Sequence, residues 1–319
     1  VLVTGAAGLL GSACVRALTD RGDDVVALVR DRDPASPLYS QGLIDRCIEV
    51  RGDLGDSHRL LSEYLPDAVL HLAAQTQVPV AGRAPLSTFE SNVRGTWQLL
   101  EACRLAPRVP RVAVASSDKA YGDAPLPYTE STPLQARSPY DVSKACTDLI
   151  AQSYAHSFEL PVVVTRSGNL YGPGDGHPER LIPHCCLRLL AGLPPILRGT
   201  GAMSREWLYV DDAAAASVML LDQADALGGR AFNVGGGQVA TVAHVVETLR
   251  ALTDGPAPQI NETEPSGEIQ HQRLDTSALR ALGWTAQVGL DEGLQRTLAW
   301  WAQRRWNDCI MPPAPTPRV

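Results

Sequence analysis

The chain opens with Val1-Leu2-Val3, a short β-branched run, and passes at once into Thr4-Gly5-Ala6-Ala7-Gly8-Leu9-Leu10-Gly11 and an amphipathic segment through about Thr19. Strand, glycine loop and helix in that order leave few folds open. This is the setting in which a G-x-x-G-x-x-G pattern becomes a dinucleotide fingerprint. Gly5 permits a tight turn, Gly8 lets the backbone approach a pyrophosphate, and Gly11 lets the helix lie close on the strand. Free N–H groups at the helix start, around Leu9 and Leu10, offer their positive ends to phosphates. An ordinary Gly-rich turn is the plain alternative, and the flanking strand and helix speak against it. The strand pattern is already under way at Val1, which predicts that a few residues precede it.

Beyond the loop, short apolar strands alternate with helical patterns, as expected of an α/β chain with a doubly wound parallel sheet. Strands are expected at 25–29, 47–50, 68–72, 112–115 and 162–166, and helices at 86–104 and from Pro139 or Tyr140 to about Phe158. The strand at 25–29 ends in Arg30-Asp31-Arg32. An acidic residue at that place would hold a ribose 2′-hydroxyl, whereas an arginine suits a 2′-phosphate. Val29 takes the acidic place and Arg30 follows, which tilts the reading from NAD toward NADP. A solvated charge cluster is the alternative, and Asp31 could still reach the ribose. Asp53 and Leu54, after the third strand, could cap the adenine edge. Leu72, Ala73, Ala74 and Gln75 leave the fourth strand with small residues against which a cofactor can lie, and the helix at 86–104 carries Asn92.

The fifth strand delivers Ser116-Ser117-Asp118-Lys119 at its carboxyl end, where open parallel sheets bind ligands. Tyr140 and Lys144 follow, four apart and so on one helix face. An ammonium near a phenol favours the phenolate, which makes Tyr140 a plausible acid/base near neutral pH. Ser117, Asp118 and Lys119 add a hydroxyl, a carboxylate and an amine. A cap on the following turn is the bland role for Asp118, and a Tyr–Lys pair alone occurs on many helices.

From residue 166 the pattern changes. We expect a loop at 168–175, helices at 180–191, 213–222 and 241–252, a strand running into a helix start over 205–212, a strand at 232–234, and a Gly/Pro-rich loop at 254–267. Asp211 or Asp212 is the expected N-cap of the Ala-rich helix. A terminal helix at 290–304 carries Trp300 and Trp301 to close an apolar seam, and the Pro-rich tail 311–319 reads as core-free. Residues 1–165 thus read as a dinucleotide domain and 166–319 mainly as a smaller α/β substrate lobe, with the chain crossing back between them.

The glycine loop, His71-Leu-Ala-Ala74, Asn92-Val-Arg-Gly-Thr96, Ser116-Ser-Asp118, Tyr140-x-x-x-Lys144, Arg166-x-x-Asn169-x-Tyr171-Gly-Pro173 and Arg205-x-x-x-Tyr209-Val-x-Asp212 together resemble the extended short-chain dehydrogenase/reductases of the nucleotide-sugar epimerase/dehydratase type. The resemblance spans Thr4 to about Trp301. Within that family, Ser117-Asp118-Lys119 is most similar to CDP-glucose-type 4,6-dehydratases, as are His71 to Gln75, Tyr140 to Cys146 and Arg180-Leu181-Ile-Pro183. The Tyr171-Gly-Pro and Arg205 to Asp212 runs follow the broader family and leave the nucleotide open.

The resemblance implies a sugar-nucleotide substrate and a mechanism. Tyr140, its pKa lowered by Lys144 and an oxidised nicotinamide, takes the C4 hydroxyl proton, and Ser117 bonds the C4 oxygen. Asp118 protonates the departing C6 hydroxyl, and Lys119 is the C5 base, an enolate stabiliser or only the partner of Asp118. Gln75, Asn169, Arg180, Leu181, Arg205 and Arg273 are the substrate-binding candidates. Arg205 and Arg273 would take the diphosphate, with surface ion pairs as their alternative and a loop cap as that of Asn169. Relatives also imply a homodimer through the helices near 86–104 and 140–157, their apolar faces being Leu99, Leu100 and Cys103 with Leu149, Ile150 and Tyr154. A 4-epimerase, a 5,6-dehydratase or a decarboxylase would use the same C4 oxidation. A non-catalytic NAD(P)-sensing binding protein is the alternative of another class.

Composition narrows the partners. A net charge of −7 argues against nucleic acid, whose phosphates want a basic face. No apolar run approaches the ~20 residues of a membrane span. Seven cysteines without a Cys-x-x-Cys read as free thiols in a reducing cytoplasm. The seven histidines show no metal spacing, no metal is expected, and His71 at a strand end reads as a packed residue.

Overall fold

A computed structural model describes residues 1–261 and 269–307. The tail 311–319, Cys309 and residues 262–267 of the expected loop lie outside the described residues. Twelve strands are found among them: β1 Leu2–Thr4, β2 Val26–Val29, β3 Ile48–Arg51, β4 Ala68–His71, β5 Arg111–Ala115, β6 Val162–Ser167, β7 Asn169–Tyr171, β8 Ile196–Arg198, β9 Ser204–Tyr209, β10 Ala231–Val234, β11 Gln238–Thr241 and β12 Gln259–Asn261.

Seven of these form one sheet in the order β3-β2-β1-β4-β5-β6-β10. Every neighbouring pair in it is parallel. This is the doubly wound α/β arrangement expected of the alternating pattern, and the strand order reverses between β1 and β4. The central strands are apolar on both faces, because helices cover both. Helices Leu9–Arg21 and Val210–Asp222 pack one side through Val15, Leu18, Ala214 and Leu221. Helices Gly95–Leu105 and Pro139–Phe158 pack the other through Leu99, Leu100, Cys103 and Ala151.

The chain leaves this sheet after β6 and returns to it. A three-stranded sheet β11-β9-β7 and a two-stranded sheet β12-β8 lie outside it, while β10 comes back to pair with β6. The smaller sheet rests on helices Leu181–Leu190, Val242–Ala251 and Leu290–Asn307, around Trp207, Val245, Leu249 and Leu294.

Several local expectations need correction. The loop at 168–175 contains β7, because Asn169–Tyr171 finds a parallel partner in β9. The helix at 86–104 is broken by a π turn over Glu90–Arg94 between Pro85–Phe89 and Gly95–Leu105. The Ala-rich helix begins at Val210 with Tyr209 as its N-cap. Asp212 caps elsewhere, its carboxylate accepting from the backbone N–H groups of Gln287 (3.0 Å) and Val288 (2.9 Å). Trp301 packs on the apolar seam, whereas Trp300 carries the Arg304 guanidinium over its ring. Leu99, Leu100 and Cys103 do not face outward. All three are buried in their own chain's core, and the exposed large apolar groups of those helices include Trp97, Leu105, Leu149 and Phe158.

Candidate active site

A cleft of about 520 Å³ opens over the carboxyl ends of β1, β4 and β5. Its walls come from both sheets. Gly5, Gly8, Leu9, Leu10 and Gly11 line one end, Leu72 and Ala74 the floor, and Ser117, Asp118, Lys119, Tyr140 and Lys144 the middle. Asn169, Arg180 and Leu181 close it from the smaller sheet's side.

The glycine end fits a dinucleotide on its own geometry. A side chain at Gly5 would put its Cβ 2.7 Å from the Ala73 nitrogen, and one at Gly11 would overlap the Gly5 carbonyl. Only hydrogen fits at either place, so the loop after β1 lies flat under the cleft. Gly8 is the N-cap of helix Leu9–Arg21 and no side chain caps it, which leaves the helix N–H groups facing the glycine end for an anion. Thr4 Oγ1 accepts from the Leu72 and Ala73 amides, both at 3.2 Å, and ties the loop after β4 to β1. His71 completes that tie, bonding Thr4 at 2.9 Å and Thr96 at 3.0 Å. Burial pushes its pKa down to about 3, so it stays neutral. Among the described residues no His/Cys/Asp/Glu group of three or more could hold a metal.

In the middle of the cleft, Ser117 is the N-cap of the short turn Asp118–Tyr121, its oxygen accepting from the Lys119 amide at 3.2 Å. The capping duty falls to Ser117, which leaves the Asp118 carboxyl to face inward. Asp118 is buried, and burial pushes its pKa up to about 6 against the pull of Lys119 and the Ser117 hydrogen bond. Such a group can be protonated near neutral pH. Its Oδ1 accepts from Ser117 Oγ at 3.1 Å and its Oδ2 from Gln272 Nε2 at 2.8 Å.

Tyr140 and Lys144 are both buried in the middle of the cleft. Burial pushes the Tyr140 phenol up to about 12, although Arg180 and a Ser117 hydrogen bond pull the other way. Lys144 Nζ donates to the Ala115 carbonyl at 2.8 Å, and burial lowers its pKa to about 8. For Tyr140 desolvation outweighs the neighbouring charges, and for Lys144 desolvation alone sets the direction. Arg180, anchored at Thr76 (2.9 Å) and Asp175 (3.3 Å), is a further cation that favours the phenolate.

Other candidates lie outside the cleft wall. Asn92 is buried and holds Gln75 N (2.7 Å), Gln75 O (3.0 Å) and Ser143 Oγ (2.9 Å), fixing the loop to the Tyr140 helix. The Gln75 side chain folds back onto Gln77. Asp53 caps its own turn through Gly55 N at 2.7 Å, and Leu54 packs over Gly95. Arg30 is exposed and paired with Asp31 at 2.6 Å. Arg205 is buried and donates to the Ser204 (3.0 Å) and Gln270 (3.2 Å) carbonyls, while Arg273 is exposed. Thr76, Gln77, His177, Glu179 and Trp207 line the cleft without having been expected there. Neither they nor Gln272 sits in a pattern that marks chemistry, since the tertiary fold alone brings them in.

The profile of the NAD dependent epimerase/dehydratase family matches residues 1–235. The chain belongs to that family. It is 31% identical to dTDP-glucose 4,6-dehydratase of Neisseria gonorrhoeae, over 96% of each chain. The DesIV dTDP-glucose 4,6-dehydratase of Streptomyces venezuelae, in a double mutant solved with NAD bound, superposes with a TM-score of 0.87 at 33% identity, covering 96% of this chain and 97% of that one. The UDP-glucose 4-epimerase of Thermotoga maritima gives 0.85 at 27% identity, covering 95% and 98%. As a member of this family the protein is an enzyme, its cofactor is a nicotinamide dinucleotide, and its Rossmann sheet is that of its relatives. Among the described residues no helix is long and apolar enough to cross a membrane.

The position of Asp118 sets a stability test. Its folded pKa, about 6, lies above the 3.8 of an ordinary aspartate. The buried carboxylate therefore costs nothing below pH ~4, and the cost grows as pH rises through 6. Asp118→Asn is expected to stabilise the protein by up to about 3 kcal/mol at pH 8 and to be nearly neutral at pH 4. Urea unfolding at the two pH values measures the difference, and equal effects would oppose the buried-carboxylate account.

Proposed function

We propose that the protein is a nucleotide-sugar 4,6-dehydratase, making an NDP-4-keto-6-deoxy sugar by transient C4 oxidation, water loss across C5–C6 and hydride return to C6. One observation carries this reading: Asp118, buried with a raised pKa, stands on the same cleft wall as Tyr140. A 4-epimerase needs a base at C4 but no acid at C6, so the acid favours dehydration over epimerisation. The named dehydratases among the relatives support the same choice, with dTDP- and UDP-glucose as their substrates.

In this reading residues 1–165 hold the cofactor and most of 166–319 close over the sugar nucleotide. The glycine loop and the start of helix Leu9–Arg21 hold the pyrophosphate. The bound dinucleotide supplies the hydride acceptor and donor and a positive ring that opposes the cost of a buried phenolate. Tyr140 takes the proton of the C4 hydroxyl, Lys144 offsets the phenolate charge one helical turn away, and Ser117 bonds the C4 oxygen. The C4 ketone acidifies C5–H, and Lys119 removes that proton or steadies the enolate. Asp118 gives its proton to the C6 hydroxyl, which leaves as water, and C5 takes a proton back as hydride returns to C6. Asn169, Arg180 and Leu181 face the sugar nucleotide. Arg205 and Arg273 would have to turn toward the diphosphate as it enters.

Two finer statements belong to the same proposal. Arg30, exposed at the end of β2, favours a 2′-phosphate and hence NADP. Two copies pair through the exposed Trp97 and Leu149, an interface shifted from the buried Leu99 face.

Mass spectrometry of CDP-, dTDP- and UDP-glucose turnover tests the reaction. Loss of one water, with deuterium from C4 arriving at C6, is expected, and Asp118→Asn should lower it by a factor on the order of 10²–10⁴. In wild type kcat/KM should fall as pH rises through about 6, because the free enzyme's acid must be protonated. Unchanged mass with an inverted C4 would make it an epimerase. For the cofactor, the purified protein should bind NADP more tightly than NAD, and Arg30→Ala should erase the preference. For the assembly, light scattering should show a dimer in wild type and a monomer in the Trp97→Asp/Leu149→Asp variant.

A further inference from the structure

The proposed acid has two carboxyl oxygens, and its own turn fixes only one of them. Ser117 Oγ meets Oδ1 at 3.1 Å, while Oδ2 is held at 2.8 Å by Gln272, 154 positions along the chain. Gln272 is completely buried. Its backbone is pinned on both sides, its N–H donating to Ser204 O at 3.2 Å and the Arg273 carbonyl accepting from Tyr128 N at 2.8 Å. Leu274 N–H donates to the buried Glu206 carboxylate at 2.6 Å, which fixes the segment further. At the far end of the side chain, Asn169 Nδ2 donates to Oε1 in a long bond of 3.5 Å. The NH₂ end faces Asp118, as a carboxylate that can only accept requires.

We propose that Gln272 is a positioning residue for Asp118, holding its carboxyl in the orientation from which the proton passes to the C6 hydroxyl. The inference rests on the dehydratase reading above. A buried amide N–H aimed at one oxygen removes the carboxyl's freedom to swing, and proton transfer is sensitive to such misplacement. The same bond favours the carboxylate over the acid, so it lets Asp118 give up its proton in a place where burial alone would hold it. Lys119 on its own turn and Arg205 on β9 act in that direction too, and Glu206 on β9 acts against it. The Tyr140 and Tyr128 phenols feel the Asp118 charge from the other packed segments.

Because Gln272 sits beyond the smaller sheet's β9 and also bonds Asn169 in the cleft wall, it links the acid to the side of the cleft that receives substrate. Two variants separate this from plain packing. Gln272→Leu keeps the volume and removes the donor. Water elimination should fall on the order of 10–100-fold, and the kcat/KM limb should move to higher pH. Single-turnover C4 oxidation, followed by the cofactor's absorbance, should stay near wild type. Relative to wild type at the same pH, Gln272→Glu should be poor when its carboxyl is ionised beside Asp118 and should recover as pH falls and that carboxyl can donate.

Wild-type elimination rates and an unmoved limb in both variants would overturn the proposal. So would equal loss of oxidation and elimination with no pH rescue, or failure of both variants to fold, since each makes Gln272 a packing residue. If only the Leu variant unfolds, the Glu rescue decides. Wild type assayed alongside separates the two ideas: no water release from any sugar nucleotide removes the dehydratase reading itself, while dehydration indifferent to Gln272 removes only this inference.

Discussion

The buried pairing of Arg166 on β6 with Asp148 on helix Pro139–Phe158 is the constraint on which the rest of the site depends. Two parallel hydrogen bonds, at 2.8 and 2.9 Å, join groups that are almost wholly enclosed. A desolvated pair of this kind is tolerated only when its remaining donors are also satisfied. Here they are. Arg166 Nη1 donates to the Tyr121 hydroxyl and the Glu130 carbonyl, both at 2.9 Å, and Tyr121 donates to Asn233 on β10 at 2.7 Å. Asn233 in turn donates to the Tyr128 and Asp275 carbonyls. One guanidinium therefore locks the helix of Tyr140 and Lys144, the turn of Asp118 and the segment of Gln272 into one frame.

Within that frame, desolvation sets the chemistry more than charge does. His71, Asp118, Tyr140 and Lys144 are all shifted first by burial, and each toward its neutral form. Burial brings Asp118 up to about 6 and Lys144 down to about 8, so both can change protonation within a unit or so of neutral pH, which suits a site that moves protons. Burial also explains why stability is given up at Asp118. The same burial that makes the carboxyl an acid makes its anion costly to the fold.

The cleft is assembled from chain segments far apart in sequence. Its floor is the reversal point between β1 and β4, where neighbouring crossovers run to opposite faces of the sheet and leave a gap. Its far wall is contributed by residues 167–183 and Trp207, after the chain has left the main sheet. The chain then returns through β10, which pairs with β6 in the main sheet, before β11 joins the smaller one.

What the sequence by itself determined is local. The glycine loop needs only neighbouring residues to make strand, turn and helix, and Gly5, Gly8 and Gly11 mark the cofactor end of the cleft. A parallel, doubly wound sheet follows from the alternation of apolar runs with helical patterns, and Ser117, Asp118, Lys119, Tyr140 and Lys144 are adjacent enough in pattern to be read together. Tertiary structure alone decided the rest. That the Lys144 amine finds the Ala115 carbonyl and that Arg180 adds its charge to Tyr140 are both outcomes of tertiary packing. The same holds for the inward face of Leu99, for Asp212 capping residues 75 positions away, and for Gln272 reaching Asp118. Burial and hydrogen-bond partners are properties of contacts between distant segments, and no local periodicity encodes them.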